Sequence, residues 1–220
     1  MRKLNRGSAP ACLNNYRHGR DSWGSVSPND KEAIWTQITA MQANFCAYCE
    51  SLLNNKKKHI EHFFRRSQTP QRSFDWSNIF GSCDEPDTCG RYKDNKAPST
   101  INLYDVCKPD EADPSIYFFF SGDGSVVPKE GLDTRQLNIA ENTIQIFNLN
   151  GSAKLTGKRR EAARKEQYTV DKYYQLIRSS TTQDEDPELM QLFMEELNEN
   201  LARINNEEHS AVLKQLWPKQ

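Results

Sequence analysis

Apolar positions along the chain change period several times, and each change marks an element. Ile34, Ile38, Met41 and Phe45 recur every three or four residues, which predicts a helix with one buried face. Its start is written in "SPND": Ser27 is placed to cap, Pro28 suits the first helical position, and Asp30 favours the positive helix end. Residues 1–26, ahead of it, are basic and punctuated by Gly, Ser and Pro, as a loop is. Beyond it, residues 46–94 hold short segments and turn signals, too polar to build much core of their own.

Downstream, "IYFFF" (Ile116 to Phe120) predicts a buried strand, "SGDGS" a turn and "VVP" a short return strand. "NIAENTIQIFNLN" predicts a helix, with Ile139, Ile144, Ile146, Phe147 and Leu149 in the core. Residues 155–178 are helical and basic at their start. "SSTTQDEDPE" (Ser179 to Glu188) is a polar linker. Two helices close the chain. The first carries a stripe of Leu189, Leu192, Phe193, Leu197, Leu201 and Ile204, and the second anchors Leu213, Leu216 and Trp217. The divisions are thus 1–45, a basic segment and helix; 46–95, a cysteine-rich module; 96–178, a mixed extension completing the core; and 179–220, C-terminal helices suited to docking a partner or covering the core. No internal repeat is present.

Composition narrows the function classes. The 220 residues carry a net charge of −1, so no global field draws the chain toward polyanions and any such binding needs local patches. No apolar run approaches the roughly 20 residues that span a bilayer. "MRKLNRGSAPACLNNY" lacks an apolar signal core, which points to the cytoplasm and no membrane. Disulfides are rare there, so the six cysteines need another explanation.

Cys46 and Cys49 form a CxxC, and Cys83 and Cys89 in "GSCDEPDTCG" form a Cx5C. Four thiolates from two turns suit a structural zinc ion, with a closed shell that leaves no position for catalytic water. The competing readings are a redox pair and four unrelated buried thiols. No βαβ pattern of the thioredoxin kind surrounds the CxxC. Cys12 and Cys107 have no partner at ligand spacing and read as ordinary thiols.

Between the cysteine pairs lies "KHIEHFFRR", which places two of the four histidines within four positions. If the pairs converge on one ion, this segment folds back as a hairpin with "HIEHF" as a strand. Neighbours on a strand face opposite sides. Glu61 and His62 cannot then do the same job unless the strand ends or bends there, and one natural division gives the carboxylate to a hard cation and the imidazole the part of general base.

With Cys46, Cys49, Glu61, His62, Asn78 in "DWSNIFGSC" and the closing "CGRYKD" on the page, the segment resembles HNH nucleases in their zinc-stapled ββα-metal form. The wider string of "MRKLNRG", "FCAYCE", "HIEHFFRRSQTP", "FDWSNIFGSC", "CGRYKD" and "FFFSGDGSVVP" resembles the PtuB-type HNH subunits of Septu anti-phage defence systems. The resemblance covers most of residues 1–165 and implies an α+β fold, an HNH module embedded in a mostly helical chain. It also implies His62 as the base that activates water, Glu61 as a ligand of catalytic Mg²⁺ or Mn²⁺, and Asn78 as a brace holding the His62 loop by hydrogen bonds to backbone. Relatives carry His or Asn directly after the last zinc cysteine, as a second ligand, where this chain has Gly90. Asp94, one helical turn on, is expected to replace it. His59, on the strand face of Glu61, is a further candidate ligand, with a structural role as the alternative.

The implied partners are a PtuA-like ATPase and, in retron-associated systems, a reverse transcriptase with its reverse-transcribed DNA. No GxxxxGK loop occurs here, in keeping with a separate ATPase. Basic clusters at Lys56 to Lys58, Arg65 and Arg66, and Lys158 to Arg164 are candidates for phosphate contact. Tyr48, Phe63, Phe64, Phe74 and Trp76 read first as the module's core and second as stacking surfaces for bases. DNA is the usual substrate of such nucleases, with RNA such as tRNA the alternative. Two other classes compete: a zinc-stabilised module that binds nucleic acid or protein without cutting, and a redox protein using Cys46 and Cys49.

Overall fold

The computed structural model of the chain describes residues 1–54, 57–180 and 187–218. Lys56 and most of the polar linker after Ser179 lie outside the described residues. The architecture is α+β, mostly helical, with two small antiparallel sheets. Among the described residues no helix is long and apolar enough to cross a membrane.

Helix α1 (Pro28–Gln42) starts as the sequence predicts: Ser27 Oγ accepts the amide of Asp30 at 3.1 Å, with Pro28 in the first turn. Ile34, Ile38 and Met41 are buried along one face. Strands β1 (Lys58–His62) and β2 (Ile79–Cys83) pair antiparallel, with Glu61 opposite Phe80 and His62 opposite Ile79. Helix α1 lies almost on the backbone of β2. A Cβ at Gly81 would sit 2.7 Å from Ile38 Cγ2 and 2.9 Å from Trp35 Cζ3, so only glycine admits this approach. The buried Gln42 amide then serves as a substitute strand, accepting from Gly81 N at 2.8 Å and donating to Gly81 O at 2.9 Å.

Helix α2 (Cys89–Asn95) follows β2 and packs against it. Its start is tied to the end of helix α3 (Thr134–Ile146), because Cys89 N donates to Phe147 O at 2.8 Å and Thr88 Oγ1 to the same oxygen at 3.0 Å. Between them β3 (Phe118–Phe120) and β4 (Val126–Pro128) form the hairpin that "IYFFF", "SGDGS" and "VVP" predict, although Ile116 belongs to a preceding 3-10 turn. Ile146, Phe147 and Leu149 are fully buried, with Ile139 and Ile144 packed alongside.

The central core gathers Tyr48, Phe63, Phe80 and Phe147, with the rings of Tyr48 and Phe147 stacked at 3.8 Å. Helix α4 (Ala153–Ser180), α5 (Pro187–Ile204) and α6 (Ser210–Lys214) build a second core of Val170, Tyr173, Leu197, Ile204, Leu213 and Trp217. In the predicted α5 stripe Phe193, Leu197 and Ile204 are buried, whereas Leu192 is 59% exposed. Residues at the start of α6 and just before it return to the cysteine module: Leu52 N donates to Glu208 Oε1 at 2.7 Å and Ser210 Oγ to Glu50 Oε2 at 2.8 Å.

Candidate metal centre and adjoining histidine–carboxylate site

The two cysteine pairs converge. Sγ atoms of Cys46, Cys49, Cys83 and Cys89 all lie within 4.8 Å of one another, and all four residues are buried. Sulfurs bonded tetrahedrally to zinc at about 2.3 Å are separated by about 3.8 Å. The Cys49 and Cys83 sulfurs are 3.8 Å apart. This thiol set therefore fits a metal ion such as zinc. Each pair is shaped by its turn. Cys46 N donates to Ser51 O and Glu50 N to Cys46 O, which curls the first knuckle. The wider second pair is spanned by a loop pinned where Asn148 Nδ2 donates to Asp87 O at 2.8 Å.

The four thiols divide: Cys46 and Cys49 lie below the usual thiol value, whereas hydrogen bonds with Cys46 and Cys49 raise Cys83 and burial raises Cys89. Burial opposes the Cys46 thiolate, but hydrogen bonds from Cys49, Cys83 and Cys89 outweigh it and hold its pKa well below the usual thiol value. The buried guanidinium of Arg159 has Cys49 and Cys89 as favourable electrostatic neighbours. His209, 2% exposed, meets Cys49 O with Nδ1 at 2.8 Å and braces the knuckle from the C-terminal side. Cys12 and Cys107 stand apart as free thiols, and burial pushes Cys107 up to about 12.

Glu61 and His59 share one face of β1, and Glu61 Oε2 is 3.2 Å from His59 Nε2. Gly90 explains how they fit. A Cβ there would fall 2.4 Å from Glu61 Oε2 and 2.9 Å from His59 Nε2. The space that a side chain at position 90 would need is filled from the opposite strand. Glu61 Oε1 and His59 Nδ1 are buried without hydrogen-bond partners, although Lys93 Nζ lies 2.9 Å from the former and Asp84 Oδ1 3.5 Å from the latter in poor alignment. A carboxylate and an imidazole with spare lone pairs fit a divalent cation in donor type. Asp94 does not complete this set. Among the described residues only the cysteines form a group of three or more ligands at such distances. The Asp94 carboxylate pairs instead with Lys93 Nζ. Burial and the nearby Glu61 charge raise its pKa.

His62 points to the other side. Its Nε2 is 2.9 Å from the carbonyl oxygen of Ser73, and a carbonyl only accepts, so Nε2 carries the proton and Nδ1 keeps the lone pair. Trp23, from the N-terminal segment, meets the imidazole edge-on at 4.4 Å. Burial lowers the His62 pKa to about 4, so the ring is neutral near pH 7. Asn78, 0% exposed, bridges the loop that follows His62: Oδ1 accepts from Phe64 N at 2.7 Å, and Nδ2 donates to Phe64 O at 3.2 Å and Arg72 O at 3.1 Å.

Several basic residues are not available to phosphate. Arg65 is buried and donates to Lys93 O at 2.7 Å. Arg159 is 1% exposed and donates to Leu149 O at 2.8 Å. Of the same run, Lys158, Arg160 and Arg164 stay exposed, Arg164 beside Glu161. Lys58 covers the Trp35 ring at 4.3 Å. Lys57 and Arg66 remain exposed beside the hairpin. Tyr48, Phe63, Phe64 and Trp76 are buried and Phe74 half-buried, so these rings serve the core. Sequence reasoning missed the contribution of Trp23, Ser73, Arg159 and His209. Each acts through backbone or ring contacts that no local spacing announces. Compared with known proteins, the chain matches no family model and no curated protein.

Proposed function

We propose that the chain is a metal-dependent nuclease of the HNH kind, hydrolysing phosphodiester bonds, with zinc at Cys46, Cys49, Cys83 and Cys89 as a structural staple. One observation carries this reading: β1, β2 and α2 place a neutral imidazole of fixed tautomer next in sequence to a buried carboxylate–imidazole pair, over a four-thiol clamp.

In this reading His62 takes a proton from water at Nδ1 while Ser73 O holds Nε2–H and prevents ring rotation. Trp23 and Ser73 keep the imidazole oriented and largely dry. Asn78 holds both ends of the loop that carries Ser73. Glu61 and His59 would hold Mg²⁺ or Mn²⁺, which when bound supplies positive charge for the phosphoryl and leaving oxygens. Lys57 and Arg66 are the exposed cations suited to the backbone of the nucleic acid. The sequence resemblance supports a further step: an effector subunit of an anti-phage complex with a PtuA-like ATPase, under retron control where a reverse transcriptase is encoded alongside.

A second reading, a zinc-stabilised module that binds nucleic acid or protein without cutting, is favoured by the absence, among the described residues, of a third cation ligand beside Glu61 and His59. Incubating the purified chain, alone and with its co-expressed ATPase, with plasmid DNA and with tRNA separates the two. The nuclease reading expects strand cleavage that requires Mg²⁺ or Mn²⁺. Binding with intact substrate under every metal condition supports the second.

A further inference from the structure

Lys93 is the least exposed charged residue of the site. It is 0% exposed, and its ammonium sits 2.9 Å from Glu61 Oε1, 2.9 Å from His62 O and against Asp94 Oδ1. An ammonium has three hydrogens to give, and two are directed at His62 O and Asp94 Oδ1. Glu61 Oε1 lies within ion-pair distance but accepts no hydrogen bond. Lys93 thus neutralises Glu61 and stands against one of its two carboxylate oxygens. Burial opposes the charged form of Glu61, and the Lys93 charge together with the His59 contacts outweighs it and lowers the pKa.

A divalent cation bound to Glu61 would lie at about 2.1 Å from a carboxylate oxygen. It would then share that oxygen with an ammonium, and two cations this close repel strongly in a water-poor site. The geometry offers a way out. Asp94, whose side chain is 45% exposed, already holds the same ammonium on its solvent side. Gly90, one turn earlier on α2, leaves the Glu61–His59 pair free of any competing side chain at that position.

We propose that Lys93 is a resident counter-cation of the site, which a divalent ion must displace from Glu61 toward Asp94. This rests on Glu61 and His59 being the cation site. It gives the metal-free protein a neutralised carboxylate, and it makes metal affinity the outcome of a competition within the chain.

Mn²⁺ binding to the full zinc-loaded chain, followed by electron paramagnetic resonance, tests this in wild type and in Lys93→Met, Lys93→Gln and Glu61→Gln. The expected result is binding at least tenfold tighter in the Lys93 variants and lost in Glu61→Gln. Unchanged or weaker binding in folded Lys93 variants, with Glu61→Gln still abolishing it, overturns the counter-cation and leaves the cation site standing. Binding that survives Glu61→Gln removes both. A measurement on the unaltered chain guards against misfolded variants. Titration with Mg²⁺ should shift the Lys93 ¹³Cε resonance together with the Glu61 carboxyl resonance, and a Glu61 shift with Lys93 unmoved overturns the displacement.

Discussion

Asn78 Oδ1 accepts the backbone amide of Phe64 at 2.7 Å, and through this bond the last residue before β2 fixes the first residues after β1. The remaining amide hydrogens reach Phe64 O and Arg72 O, so one fully buried side chain defines the shape of the loop between the strands. That loop supplies the carbonyl of Ser73 that orients His62.

Asn78→Ala leaves two buried backbone groups, Phe64 N and Phe64 O, without partners, while Arg72 O keeps the amide of Asp75. At about 1–3 kcal/mol for each such loss, partly recovered by water, the variant should be destabilised by about 2–4 kcal/mol. Urea unfolding reads this, and amide exchange at Phe64 should accelerate more than at Gly81. Equal stability would remove Asn78 from its bracing role.

The thiol centre predicts about one zinc per chain. Cys83→Ser should lose the metal and lower the unfolding temperature, because the ββα module is too small to hold by its own core. Chelation of wild type should have the same effect. Metal analysis of protein purified without added zinc decides it, and a metal-free chain of unchanged stability would contradict it.

Glu50 is 1% exposed and meets the α-ammonium of Met1 at 2.6 Å, Arg2 Nε at 3.1 Å and Ser210 Oγ at 2.8 Å. Burial alone would raise its pKa, but the α-ammonium and Arg2 outweigh it and hold it at about 2. Removing one partner of such a buried pair costs about 3–5 kcal/mol. Glu50→Gln should therefore lose stability on that scale and loosen residues 209–213, measurable by amide exchange at Val212.

The depressed pKa of His62 gives a signed dependence on pH. The unfolded imidazole takes its proton near 6.5 and the folded one only near 4. Stability is therefore complete above pH 6.5 and is lost as pH falls toward 4. At about 1.4 kcal/mol per pH unit the loss is about 3 kcal/mol. Wild type should lose about that much more than His62→Gln across this window. Parallel curves would mean that His62 titrates alike in both states.

Local signals in the chain were legible where the physics is local. The Ser27 cap, the period of Ile34 and Ile38, the β3–β4 hairpin and the thiol cluster are all written within short spans or in a metal-ligand spacing. Strand alternation likewise anticipated that His59 accompanies Glu61 while His62 faces away. Burial of charge was not legible. Arg65 and Arg159 look like phosphate ligands in a basic run, yet their partners are the carbonyls of Lys93 and Leu149. Asp94 has the right helical spacing for a ligand but faces the Lys93 ammonium. His209 meets Cys49 across 160 positions, a contact that no window of sequence contains.

The most direct measurement is cleavage of plasmid DNA and of tRNA, with Mn²⁺, by wild type and by His62→Ala of equal zinc content and circular dichroism. Cleavage by wild type that falls at least a hundredfold in His62→Ala is the predicted result. Equal cleavage by both proteins, or none by wild type with its partner present, would contradict it.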